Sequence, residues 1–130
     1  MLDRIDLHVE VPAVKFREIA GEHTGETSAQ IRGRVIGARQ RQQERYRGKS
    51  RITCNARMGS RELKTYCELD ETTKDLLMCA MTDLNFSARA YGRILKVART
   101  IADLAGADNI GSDHISEAIQ YRSLDRQIWG

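Results

Sequence analysis

The chain has 130 residues, 21 of them Lys or Arg and 18 Asp or Glu, for a net charge of +3, with 41% apolar and 5% aromatic residues. It is too apolar for a disordered chain and has no run of ~18 uncharged apolar residues that could form a membrane-spanning helix, while Cys54, Cys67 and Cys79 lack both Cys-x-x-Cys spacing and the even count of a disulfide framework. The length suits one domain of about 100–150 residues, and Asp3, Asp6 and Glu10 deny the first stretch the apolar centre of a signal peptide, so a reduced, cytoplasmic protein is expected.

The N-terminus alternates. Ile5, Leu7, Val9 and Val11 fall on one side and Asp6, His8 and Glu10 on the other, the period of a half-buried strand that Pro12 ends. No second strand of this quality follows, and a lone strand cannot satisfy its backbone groups. Three outcomes are open for it: disorder, pairing between two copies, or a position along the helices. Residues 13–26 read as a linker, polar from Gly21 to Glu26.

Helical patterns occupy the rest. Thr27 or Ser28 caps a helix running to about Tyr46, with Ile31, Val35, Ile36 and Ala38 as a narrow apolar stripe, and Gly48 stops it. The net charge is concentrated here. Thr27 to Arg57 holds nine basic residues and one acid, a net charge of +8, whereas the remaining residues hold 12 basic and 17 acidic ones, a net −5. A cationic segment on an acidic body points to a polyanion or an acidic protein surface as partner; a solvated Arg-rich helix is the plain alternative. Arg51 to Ala56 reads as an extended loop. Ser60 caps a short helix with Leu63, Tyr66 and Cys67 inward, and Asp70 caps another with Leu76, Leu77, Ala80, Met81 and Leu84 at helical spacing.

Ser87 opens the strongest helix, whose apolar face is Tyr91, Ile94, Leu95, Ala98, Ile101, Ala102 and Ala105, and Gly106 ends it in a left-handed turn. Ser112 caps a last helix with Ile115, Ala118 and Ile119 inward, and residues 123–130 read as a tail in which Trp129 could dock. The expected architecture is a mainly α bundle of four to five helices preceded by one orphan strand.

Little in the chain is catalytic by itself. Gly48-Lys49-Ser50 imitates the end of a phosphate-binding loop, but Gln43 stands where that loop needs a glycine, and a helix rather than a strand precedes it. His8, His23 and His114 are too dispersed for a metal site, Cys67 and Cys79 read as small core residues, and Asp70-Glu71 is explained by the helix dipole. Two arginines stand out. Arg4 immediately precedes the strand, and Arg89 sits in the first turn of the strongest helix, sharing a face with Arg93 and Lys96. A cation at a helix N-terminus opposes the macrodipole, a cost that a bound anion would reverse.

The segments LDRIDLHVEVP, CNARM at Cys54–Met58, YCELDE at Tyr66–Glu71, LNFSARAYGRILKVARTIADLAG at Leu84–Gly106 and IGSDHISEAIQYR at Ile110–Arg122 resemble the C-terminal part of the Mg-chelatase-like AAA+ ATPases, in their ComM/YifB branch. Gly92 departs from it, standing where members usually carry a larger polar residue. The resemblance implies a piece of a longer protein: residues 1–12 as the last strand of an AAA+ core, 13–26 as linker, and 27–122 as the helical lid.

It further implies that Arg4 is an arginine finger toward a neighbouring subunit's nucleotide and Arg89 a sensor-2 arginine, with Arg93 a weaker candidate beside it. ATP and magnesium would serve the parent protein and bind this piece only weakly, and the piece alone would not be an enzyme. The implied partners are the chain's own AAA+ core, the neighbouring subunits of a hexameric ring, and branched DNA in natural transformation, contacted by Arg39, Arg41, Arg45, Arg47 and Arg51 of the basic segment 27–51. The same arginines could instead form a subunit interface. A stand-alone basic module that binds nucleic acid, and the lid of a true magnesium chelatase, are the rival readings.

Overall fold

The computed structural model describes residues 6–9, 11, 25–49 and 51–129, without the side chains of 123–129. Among the described residues lie five α-helices: α1 (Ser28–Arg45), α2 (Ser60–Tyr66), α3 (Glu71–Asp83), α4 (Ala88–Leu104) and α5 (Ser112–Trp129), with a 3-10 turn at Asn55–Arg57. The fold is mainly helical.

Local chemistry sets the helix ends. The Thr27 hydroxyl accepts from the Gln30 amide while the Gln30 side chain accepts from the Thr27 amide, a reciprocal box that satisfies two orphan donors of α1. Asp70 caps α3 through the Thr73 amide at 2.7 Å, and Ser87 caps α4 through the Ala90 amide at 3.3 Å. Gly48 and Gly106 have φ of 83° and 72°, left-handed values that glycine adopts without steric cost, and they stop α1 and α4.

Two expected caps shift by one residue. Gly59 is the N-cap of α2, and Ser112 is the first residue of α5, where its hydroxyl lies 3.1 Å from that of Thr73 and ties α5 to the first turn of α3. α5 also runs on to Trp129, through the stretch expected as a tail.

α4 is the axis of the bundle, contacting α1, α2, α5 and the 3-10 turn. Its buried Ile94, Leu95, Ala98 and Ala102 meet Leu77 of α3, Ile115 and Ala118 of α5, and Tyr46, Met58, Cys67 and Ile110 from the connections. Burial pushes the Cys67 thiol up to about 11, so it behaves as a small apolar filler. Cys79, expected in the core as well, is exposed. Leu76 also turns outward, since α3 covers its neighbours with one face only and Leu77 takes the buried position.

Of the three outcomes open for the leading segment, its described residues take the position along the helices. Residues 6–9 form no strand among the described residues; they lie along the helices, where the His8 amide donates to the Tyr121 carbonyl of α5 at 2.8 Å. Its alternation survives with the faces exchanged. Asp6 and His8 are half-buried against the helices, while Leu7, Val9 and Val11 are 51%, 65% and 81% exposed. The polar side makes the hydrogen bond and ion pair to the helices, while Leu7 and Val9 line an open cleft against them.

Candidate functional site

Arg89 is exposed at the second position of α4. The other side of that helix is locked into the core by Ile94, Leu95 and Ala98, so the arginine is displayed at the end of a well-supported rod. Arg93, one turn further on, is half-buried and its Nη1 donates to the Asp6 carboxylate at 2.5 Å. Lys96, the third member of this face, donates to the Ala56 carbonyl at 3.3 Å. Beneath the leading segment a cleft of about 360 Å³ opens between Leu7, Val9, Val97, Ile101 and Tyr121. Arg4 lies outside the described residues.

The basic segment divides into two environments. The positions Ile31, Val35, Ala38, Gln42 and Arg45 follow one another at spacings of four and three, so they share one face of α1. At its C-terminal end this face packs: Ala38 is buried, Gln42 accepts from the Asn55 amide at 2.9 Å, and Arg45 enters the interior. Its N-terminal end runs past the body of the bundle, leaving Ile31 and Val35 46% and 39% exposed, and Ile36 on another face is exposed as well. Among the described residues, the apolar stripe expected along the whole helix is therefore buried only over its second half.

Arg45 is the residue whose placement departs furthest from the exposed phosphate contact expected of it. Its side chain is 12% exposed, and its guanidinium donates to both Asp103 oxygens at 2.7 and 2.9 Å and to Asn55 Oδ1 at 3.0 Å. It also lies 5.9 Å from the ring centroids of Tyr46 and Tyr66, which meet edge to face. A fork this fully engaged is not available to a phosphate. Arg41 donates to the Gly106 carbonyl and, at 3.2 Å, to Asp108, clamping the end of α4 to α1. Arg39, Arg47 and Arg51 are exposed, Arg47 beside Glu44, as are Arg32 and Lys49; Arg34 pairs with Glu26 at the start of the helix.

The interior network around Arg45 was not legible in the sequence. Asp103 is fully buried and also faces Arg99, 4% exposed, at 3.3 Å. Arg99 donates further to the carbonyls of Tyr66, Ala107 and Asp108. Asn55, 1% exposed, is the hub: its Oδ1 accepts from Arg45 and from the Tyr46 hydroxyl, and its Nδ2 donates to Thr100 and Asp103. Burial alone would raise the Asp103 carboxyl, but the hydrogen bonds of Arg45 and Asn55 and the charges of both arginines outweigh it and hold its pKa below the ordinary value. Burial pushes the Tyr46 phenol up to about 12, so it stays a donor. The signal available in sequence was the pair Arg99 and Asp103, one turn apart on an otherwise apolar helix.

No group of three or more His, Cys, Asp or Glu side chains suited to a metal ion occurs among the described residues, and no described helix is long and apolar enough to cross a membrane.

Known proteins carry sequences similar to this chain. The relatives include the uncharacterized protein YifB of Salmonella typhimurium, 42% identical over 98% of this chain, and the competence protein ComM of Haemophilus influenzae, 43% identical over 98%. YifB of Escherichia coli is 37% identical over the same share. The chain spans about a quarter of these relatives, 24% of the length of each. The sequence pattern of the family described as "Magnesium chelatase, subunit ChlI C-terminal" matches residues 25–122, which takes in every helix from α1 to the described side chains of α5. On that match and those identities, the chain belongs to the magnesium chelatase subunit ChlI C-terminal family, in the form carried by ComM- and YifB-like proteins.

Proposed function

We propose that this chain is the helical lid of a longer AAA+ ATPase: it does not hydrolyse ATP alone and presents arginines to a nucleotide bound elsewhere in the parent protein. The observation that carries the reading is Arg89, exposed in the first turn of a helix whose opposite side is fixed in the core. Free backbone N–H groups and the positive end of the dipole favour an anion at such a terminus, and the planar guanidinium fork pairs with phosphate oxygens two at a time. Arg89 is the sensor that contacts phosphate within its own subunit, and Arg4, in the segment before the lid, is the finger toward the neighbouring subunit of a ring. ATP with magnesium is the parent's ligand. Arg93 drops out of the phosphate set because Asp6 engages it.

The test is ATP hydrolysis by the longer protein carrying Arg89→Ala or Arg4→Ala. A loss of about 10³-fold or more is expected for the finger, in line with trans arginines in other ATPases and GTPases. Unchanged turnover in the assembled protein would remove the corresponding role.

A second role for the same lid, DNA contact, is favoured by the exposure of Arg32, Arg39, Arg47, Lys49 and Arg51 along and just beyond α1, and one relative is named a competence protein. Contacts of this kind go to phosphates, are independent of sequence and release counterions. With three or four phosphates neutralised, affinity for duplex DNA should drop by roughly 40–150-fold between 50 and 200 mM salt. Absence of binding at the lower salt would leave these arginines to a protein interface.

A further inference from the structure

Between α2, the connection that follows it and the first half of α4 lies a cleft of about 590 Å³ that shares no lining residue with the one beneath the leading segment. Its size falls within the roughly 300–1,000 Å³ of pockets that hold small molecules. Leu63 of α2, Leu69 of the connection, and Tyr91 and Leu95 of α4 give it an apolar wall. Gly92 lines the same space, and neither its backbone nor its packing calls for a glycine. It lies inside α4 without a positive φ, and a methyl group added there would find only Leu63 Cδ1 within 4 Å, at an ordinary 3.7 Å. Glycine inside a helix costs backbone entropy, and what its missing side chain leaves here is room.

We propose that this cleft binds an amphipathic monoanion, an apolar body that carries one carboxylate. The wall takes the body, and the charges at the opening select the head. Lys64 of α2 and Lys74 of α3 line the cleft and are exposed, and neither forms an ion pair among the described residues. Glu68 is the one carboxylate among the lining residues. Two ammonium groups against one carboxylate leave a net +1 at the opening, which a single anionic group neutralises. Lysine suits such a place, since its ammonium is a compact charge on a flexible stem and can follow a head group at the mouth of a cleft. Arg89 does not line the cleft, so the inference is independent of the nucleotide reading.

Titration of the 130-residue chain with decanoate, followed by amide NMR, tests the site. Saturable shifts at Leu63, Tyr91 and Gly92 are expected at millimolar concentration or below, while the amides of Val97 and Ile101 beneath the leading segment stay in place. Decanol, with the same chain and no charge, should bind about threefold more weakly or worse, the scale of one or two solvated ion pairs, and Lys64→Gln with Lys74→Gln should erase that difference. Gly92→Leu fills the cleft and should weaken decanoate by about tenfold or more, with an unchanged or higher Tm because it gains helix propensity. Decanoate that does not saturate, that shifts only the residues beneath the leading segment, or that binds Gly92→Leu as before would overturn the site. Equal affinity for decanol and decanoate would overturn the choice of a monoanion. A lowered Tm in Gly92→Leu would show that packing rather than open space calls for the glycine, and the proposal would fall with it.

Discussion

The two halves of α1 carry the same residue types and meet opposite fates. In the C-terminal half, Arg45 is withdrawn from solvent, held by Asp103 and Asn55 and flanked by two tyrosines. In the N-terminal half, Arg32 stands exposed beside Ile31, Val35 and Ile36, which are exposed too, and Arg39 is exposed on the outer face further along. The chemistry of arginine does not decide between these outcomes; the presence of α4 alongside does. An arginine is buried where a carboxylate and an amide wait for it and where aromatic rings cover its faces, and only the second half of the helix reaches such a place. Among the described residues, the first half keeps its apolar side chains exposed.

The largest expected effect breaks the buried side of this comparison. Asp103→Ala leaves Arg45 and Arg99 sharing an interior with no carboxylate between them, which should cost roughly 3–5 kcal/mol in urea or thermal unfolding. The pH dependence follows from the depressed Asp103 carboxyl. Its contribution is present in full above the ordinary carboxylate pKa of about 3.9 and is lost as pH falls through the lower folded value. Asp103→Asn should therefore flatten the acid limb of the stability curve, and an unchanged limb would show that the network does not rest on this charge.

Next in size is the end of α4 that displays Arg89. Ser87→Ala removes the hydroxyl that accepts from the Ala90 amide and should destabilise the chain by about 1 kcal/mol. It should also fray the first turn and so blunt the contribution proposed for Arg89 to ATP hydrolysis in the longer protein. A stable variant with unaltered turnover would mean that the helix terminus need not be ordered to work.

These effects separate what sequence could show from what it could not. The caps at Thr27, Asp70 and Ser87 and the stops at Gly48 and Gly106 were legible because each depends on a few consecutive residues. The apolar face of α4 was legible from its spacing. Asn55 was not, since the four hydrogen-bond partners of its side chain come from α1, its C-terminal turn and α4, and a lone asparagine in a loop carries no mark of burial. Arg45 was misplaced for the same reason: a run of arginines reads as a solvated face until the fold brings Asp103 to one of them. The spacing of Ile31 and Val35 gave the correct face of α1 but could not say where the neighbouring surface ends. Arg89 was legible because a cation in a first turn is locally unfavourable and so stands out. Arg4 falls outside the described residues.

On the exposed half of α1 the expected signs change. Gly33 and Gly37 lie inside the helix, and a methyl group added at either would meet no atom within 4 Å. Gly33→Ala should thus stabilise the chain, by about 0.5–1 kcal/mol, since it gains helix propensity and encounters no neighbour. If instead the variant is destabilised in the isolated chain, the first half of α1 has a partner within it. Should Gly33→Ala stabilise the isolated chain yet impair the longer protein, the overhang is packed there against a surface that needs the glycine.

The smallest effect on folding is the sharpest on the exposed side. Arg32 and Arg39 lie seven residues apart, on one face of α1 and away from the body. Changing both to Gln should shift unfolding by no more than about 0.5 kcal/mol, as surface substitutions usually do. If that face meets phosphates, the same pair of changes should make the dependence of DNA affinity on salt shallower by close to 2 in logarithmic slope, about 0.9 for each phosphate left without its arginine. Arg45→Gln makes the control from the packed face of the helix, because it should destabilise the fold through Asp103 while leaving that slope unchanged. If Arg45→Gln altered the slope and the Arg32 and Arg39 changes did not, the division of α1 into a packed face and a partner-facing face would be wrong.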